Sequence, residues 1–235
     1  MNIKLSDARL VHILIIAATV AIALNTFMTF GIAPTGRVAS KNVALTGDAL
    51  QDAINIVIPT GTPAVYGSEL GVSFDDPLNS LNIISQLDPA YGSSKVFTKD
   101  TASNDEWGRY IEILTTPTIT CEFCCGATTA VRSDGSPACG CQHVWAMRGL
   151  TAYLLRNHPD MSNDEIMTEV ARWKALFFPK DMTSRFLEQT KSGEYTPDMA
   201  ALIAGVDSAV VKNFASGDIP AASSIQDMPG MVGGC

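Results

Sequence analysis

Basic side chains are scarce and nowhere gathered: 16 Lys and Arg stand against 24 Asp and Glu, for a net charge of -8. A nucleic-acid surface needs clustered Lys and Arg to replace the counterions of phosphate, so nucleic acid is set aside as a partner. Covalent haem attachment requires CxxCH, whereas Cys125 follows Cys124 and His143 follows a CxC pair. A c-type cytochrome is therefore set aside too. No Ser-His-Asp or paired-carboxylate spacing rises above chance, which leaves hydrolysis without support. Also missing are a fixed-period repeat, a low-complexity linker and a thioredoxin-like βαβ pattern. Asp75 and Asp76 lack the further oxygen ligands of a hard-cation loop and read as a turn or helix cap before Pro77.

Charge is missing in another way from residues 10 to 34, which contain no Asp, Glu, Lys or Arg. About 20 predominantly apolar residues cross a bilayer, and the sequence predicts a transmembrane anchor over 10–34 behind a short flank, 1–9. A cleavable signal peptide is the rival, with Lys4 and Arg9 as a basic start and Ala21-Ile22-Ala23 as a cleavage site. The apolar character that continues through Phe27, Met28 and Phe30 favours the anchor. Lys4 and Arg9 are matched by Arg37 and Lys41 beyond the span, so the positive-inside rule gives little bias. A short flank, one span and a long domain place the domain outside the cytoplasm. The expectation is a single-pass membrane protein whose N-terminal helix has the membrane as its partner.

At 235 residues the chain can bury a core without disulfide staples. Residues 35–118 read as a mixed α/β region. Within it Ile54 to Ile58, apolar and β-branched, resembles a strand closed by Pro59 and Thr-Gly-Thr-Pro. Leu78 to Leu87 reads as a short helix and Trp107 to Leu114 as a short apolar element. Residues 119–180 hold a cysteine-rich hairpin and a helix pair. The first helix follows from Val144, Met147, Leu150, Thr151, Leu154 and Leu155, and ends at Asn157-His158-Pro159. Ser162 and Glu165 make a capping box for the second, which runs through Phe177 to Pro179. Trp145, Trp173, Phe177 and Phe178 read as the core of the pair, and His158 as an ordinary loop residue. Residues 181–214 predict two more helices, the second opened by Pro197, and 215–235 a Ser-, Pro- and Gly-rich extended tail. The fold class expected is α+β.

The chemistry concentrates in Cys121-Glu-Phe-Cys124-Cys125-Gly126 and Cys139-Gly-Cys141-Gln-His143, with Cys235 as the final residue. Cys121 and Cys124 have the CxxC spacing that lets two thiolates converge on one ion. Cys139 and Cys141 form a second pair, and the turn signal at Ser133 to Pro137 brings the two pairs together. Thiolate pairs meeting across a short hairpin are the usual four-ligand zinc arrangement, with sulfur about 2.3 Å from the metal. Here the second pair is CxC, and Cys125, His143 and Cys235 are spare ligands. Cys141 falls at a helix N-terminus, where the dipole and free N–H groups favour a thiolate. His143, in the first turn, is as readily a ligand as a cap or surface residue. The candidate metal set is Cys121, Cys124, Cys125, Cys139, Cys141, His143 and Cys235. Thiolate-rich sets favour zinc first, with copper or an iron-sulfur cluster as alternatives.

The runs CEFCCG, DGSPACGCQHVWAMRGLTAYLL, MSNDEIMTEVARWKALFFP and MVGGC resemble a family of archaeal membrane-anchored, cysteine-rich proteins. The likeness covers residues 60 to 180 and the last few, and it implies an anchored extracytoplasmic domain without assigning an activity. Cys139-Gly140-Cys141 and His143 are also weakly similar to the lipoprotein-type family named for Pro-Cys-Tyr-Cys-Gly-Cys, which implies metal handling, although the proline and tyrosine are missing here. Three function classes follow: a metal-binding module, a membrane-tethered thiol-disulfide oxidoreductase loosely like the thiol reductases of cytochrome c maturation, and a surface protein held by disulfides. Six cysteines allow fifteen pairings in the last case. Ligand density favours the metal module.

Overall fold

Short helices, half of them opened by a side-chain N-cap, account for about half of the residues described by a computed structural model, 40–94 and 97–234. The first, α1 (Ala49–Val57), begins where the Asp48 carboxylate accepts from the Leu50 and Gln51 N–H groups. Ala53, Ile56 and Val57 share its buried face. The strand expected at Ile54 to Ile58 is therefore the second half of a helix. β-branched residues lose only tenths of a kcal/mol in a helix, and a side-chain cap worth about 1 kcal/mol plus burial at i, i+3 and i+4 outweighs that. Among the described residues backbone pairing stops at two isolated bridges, Lys41 with Val206 and Val131 with Pro137. The α+β expectation is corrected to an all-helical fold.

After α2 (Gly67–Leu70) comes α3 (Pro77–Ser85), whose N-cap is Asp76 with Pro77 at the first helical position. The helix α4 (Asn104–Thr115) opens on a capping box of Ser103 and Glu106. The four-residue α5 (Glu122–Cys125) carries the first cysteines, and α6 (Gln142–Asn157) follows the second group. Ser162 and Glu165 cap α7 (Asn163–Phe177) reciprocally. Beyond it lie α8 (Pro179–Ser192), α9 (Pro197–Ala204), α10 (Ser208–Ala215) and a 3-10 turn at Ala222–Ile225. The single helix expected beyond Pro197 is thus two, since α9 stops at Gly205 and Asp207 caps α10.

The helix α6 packs against α3, α4 and α7. Gly149 sets its closest approach, because a Cβ there would stand 2.6 Å from the Ile84 carbonyl oxygen. On α7, Trp173 and Phe177 are buried, and the Trp173 indole donates to the Tyr66 hydroxyl at 2.7 Å. That hydroxyl donates in turn to Glu169 Oε2 at 2.8 Å, so a polar chain crosses the core with its partners satisfied.

No helix among the described residues is long and apolar enough to cross a membrane. The longest, α6, has 16 residues, about 24 Å against a hydrocarbon core of about 30 Å, and it carries Arg148 and Arg156. The segment 10–34 that prompted the anchor lies outside the described residues. The expected single-pass placement and membrane partner are corrected on this finding.

Candidate metal centre

The two cysteine segments meet because the chain between them turns back. Asp134 Oδ1 accepts from the Ser136 N–H at 2.9 Å, and the Arg132 N–H donates to the Ser136 carbonyl at 2.8 Å. Gly135 sits at φ +82 with the Trp107 ring over it, so close that a Cβ would lie 2.4 Å from Trp107 Cζ2. Only glycine combines that backbone angle with that contact. The hairpin expected here is a tight turn with one bridge instead of a two-stranded ladder.

A four-residue helix is unstable alone, and α5 is held by its neighbours. Lys174, buried on α7, donates from Nζ to both Glu122 oxygens at 2.8 and 2.7 Å, to Asp198 Oδ2 at 2.6 Å and to the Thr118 carbonyl at 2.7 Å. Arg185 of α8 pairs with Glu122 at 2.7 Å. Both cations lie over the Phe123 ring, 4.8 and 4.5 Å from its centroid, and that ring meets Phe178. Thr118, at φ +67, occupies a left-handed conformation that is costly for a β-branched residue. The bond from Lys174 to its carbonyl helps fix it.

The second segment is fixed from the other side. Arg148, fully buried, donates from Nε and Nη2 to the two oxygens of buried Asp88, each at 2.8 Å, and from Nη1 to the Cys139 carbonyl at 2.9 Å. Sequence reasoning missed Asp88, Glu122, Arg148, Lys174 and Asp198. A signal was there for the two cations: Arg148 follows Val144 by four and Lys174 follows Val170 by four, so each is a charge set within an apolar helical stripe.

Held this way, the sulfurs of Cys121, Cys139 and Cys141 lie within 4.8 Å of one another, a set that can hold a metal ion. Cys141 is the N-cap of α6, in extended conformation. Its thiol is pulled down to about 4, against its burial, chiefly by contact with the Cys121 thiol and further by the Val144 N–H. Cys121, 2.8 Å away and fully buried, moves the opposite way, raised by the same contact and by its burial. Burial and contact with Cys125 push Cys139 up to about 11.

His143, two residues after Cys141 and outside the set of three, is fully buried, its ring centroid 5.2 and 4.9 Å from those of Phe177 and Phe178. Its Nε2 is 2.7 Å from the Val232 carbonyl oxygen. A carbonyl only accepts, so Nε2 carries the proton. Nδ1 is buried with no hydrogen-bond partner. The strap that supplies Val232 is itself fastened, with the Val232 N–H on the Phe177 carbonyl at 2.9 Å and the Lys180 N–H on that of Pro229 at 3.2 Å.

The remaining candidates fall elsewhere. Cys124 is disulfide-bonded and cannot serve as the fourth thiolate that the CxxC spacing suggested. Cys125 is exposed, 2.7 Å from Cys139 and outside the set of three. Cys235 lies outside the described residues. Asp75 accepts from the Gly61 N–H at 2.9 Å and His158 bonds Glu69 at 3.0 Å, which gives both ordinary surface roles. No family model matches the chain, and no curated protein or solved structure is similar to it.

Proposed function

We propose that the protein binds one thiolate-held metal ion, zinc first, through Cys121, Cys139 and Cys141, with His143 Nδ1 as the fourth ligand. The observation that carries this reading is the convergence of three sulfurs within 4.8 Å of one another; His143 stands outside that set and is added as fourth ligand because its buried Nδ1 has no hydrogen-bond partner. A buried polar atom left unpaired costs about 1–3 kcal/mol, and a bond to the ion removes that cost. A histidine that ligates through one ring nitrogen characteristically donates the other N–H to a carbonyl or carboxylate, and the Val232 carbonyl is in that place. Three sulfurs with one imidazole is a common structural zinc set. Cuprous copper suits the same sulfurs, while most iron-sulfur clusters take four cysteines.

A tetrahedral ion with sulfur at about 2.3 Å holds its sulfurs about 3.8 Å apart. Cys121 and Cys141, at 2.8 Å, therefore open by about 1 Å on binding, a side-chain adjustment. The same close contacts favour a second reading, thiol-disulfide chemistry.

The test is metal loading of the full chain, purified anaerobically, with Co2+ as the spectroscopic stand-in and Zn2+ as competitor. One ion per chain, intense thiolate-to-cobalt bands and their loss on zinc addition are expected. His143→Gln should weaken binding at least about tenfold, or 1.4 kcal/mol, while His158→Gln leaves it unchanged. Absence of bound metal with all free thiols still titratable sinks the reading. Equal affinity in His143→Gln removes the fourth ligand.

A further inference from the structure

We propose that Cys125 and Cys139 form a reversible dithiol-disulfide couple whose substrates are external disulfides, and that its oxidation withdraws Cys139 from the metal centre. The second half rests on the metal reading above; the first stands on geometry alone. Cys125 ends α5 at the surface, and its sulfur is 2.7 Å from that of Cys139. A disulfide bond is about 2.05 Å long, so closure asks the sulfurs to approach by about 0.7 Å. Both backbones are already held, α5 through Glu122 and the 139 loop through Arg148. Cys139 belongs to two groups at once, since it also lies within 4.8 Å of Cys121 and Cys141. The Cys121–Cys141 contact is equally short, at 2.8 Å, but Cys121 is fully buried and Cys141 only partly exposed, so an incoming disulfide meets Cys125 first. Of the two pairs, only the one containing Cys125 presents an exposed sulfur.

The chemistry balances without a cofactor. The Cys125 thiolate attacks one sulfur of an external disulfide RSSR; a Cys125–SR bond forms, the R–S–S–R bond breaks and one RS⁻ leaves. The Cys139 thiolate then attacks the Cys125 sulfur, forming the Cys125–Cys139 bond and expelling the second RS⁻. Two electrons pass from the protein sulfurs to RSSR; one departing thiolate takes up the proton Cys125 gave up, and the other takes up the Cys139 proton in metal-free protein or a solvent proton where Cys139 was bound to the ion as a thiolate. An ion that had four ligands is left with three. Reduction by a dithiol reverses the sequence and restores Cys139.

The experiment treats the full chain, loaded anaerobically with Zn2+, with oxidised glutathione. Peptide mapping reads the cross-link, intact mass reads the loss of two hydrogens, and a chromophoric chelator reads freed zinc. In the wild type a Cys125–Cys139 link is expected to appear in step with one released zinc, and dithiothreitol should reverse both. Cys125→Ser should bind zinc with unchanged affinity and retain it at least ten times longer under the same oxidant. Cys125→Ala, with an unchanged far-UV spectrum, checks that this retention comes from the missing thiol and not from misfolding. A link mapped to Cys121–Cys141, or release from Cys125→Ser as fast as from wild type, overturns the proposal. If the wild type takes up no zinc, the metal reading fails by itself, and the mapped Cys125–Cys139 link still decides the dithiol couple.

Discussion

Replacing Arg148 with Met is the most informative single change, because it separates the scaffold from the sulfurs. The side chain is fully buried, and it both neutralises Asp88 through two bonds of 2.8 Å and holds the Cys139 carbonyl at 2.9 Å. Removing one member of a buried ion pair costs about 3–5 kcal/mol, because the other charge is left without compensation. At roughly 2–4 °C per kcal/mol for a chain of this size, the melting temperature of metal-free protein should fall by about 6–20 °C, read by circular dichroism, with urea unfolding alongside. Arg148→Met/Asp88→Asn removes the lone charge as well. It should recover at least about 1 kcal/mol over Arg148→Met yet still bind zinc more weakly than wild type, since the Cys139 carbonyl stays unheld. A single variant within 1 kcal/mol of wild type, or a double variant no more stable than the single, would refute the uncompensated-charge argument.

The Asp198 carboxyl predicts a pH dependence. Burial alone would raise its pKa, but the Lys174 and Arg185 charges overcome burial and hold it below the usual carboxylate range. Its stabilising contribution is therefore complete above the unfolded value of about 3.9 and is lost as pH falls through the lower folded value. Asp198→Asn should lower stability at neutral pH and flatten this acid limb, as followed by urea midpoints from pH 7 down to pH 3; an unchanged acid slope counts against the assignment. Gly135→Ala combines a disfavoured φ of +82 with a contact of 2.4 Å to Trp107, and more than about 1 kcal/mol should be lost. Gly126→Ala, at φ +71 with open space around it, should cost less in the same unfolding assay.

The parts of the site that depend on neighbours in sequence were readable beforehand. The turn at Ser133 to Pro137, Cys141 at the start of a helix, and the reciprocal cap of Ser162 and Glu165 each follow from short-range chemistry. Composition misled where two local preferences compete: Ile54 to Ile58 reads as a strand by side-chain type, yet the Asp48 cap lies outside that window and decides the matter. Ligand choice was less readable still. The CxxC spacing makes Cys121 and Cys124 partners, whereas the fold aims Cys121 at Cys141 and engages Cys124 in a disulfide. The CxC spacing pairs Cys139 with Cys141, but Cys139 also meets Cys125. Which nitrogen of His143 is bare depends on Val232, 89 positions away, and no local pattern carries that. Arg148 and Lys174 interrupt their helical stripes visibly, but their partners are distant in sequence.

The anchors at the site grip main-chain atoms as much as side chains. Arg148 holds the carbonyl of Cys139 and Lys174 that of Thr118, and neither cation donates a hydrogen bond to a sulfur. Position 139 is thus a socket whose location is specified independently of what is plugged into it. Exchanging its thiol for an imidazole or a carboxylate would present a different donor from the same point in space, so the donor chemistry of the proposed centre can be rewritten without redesigning the scaffold.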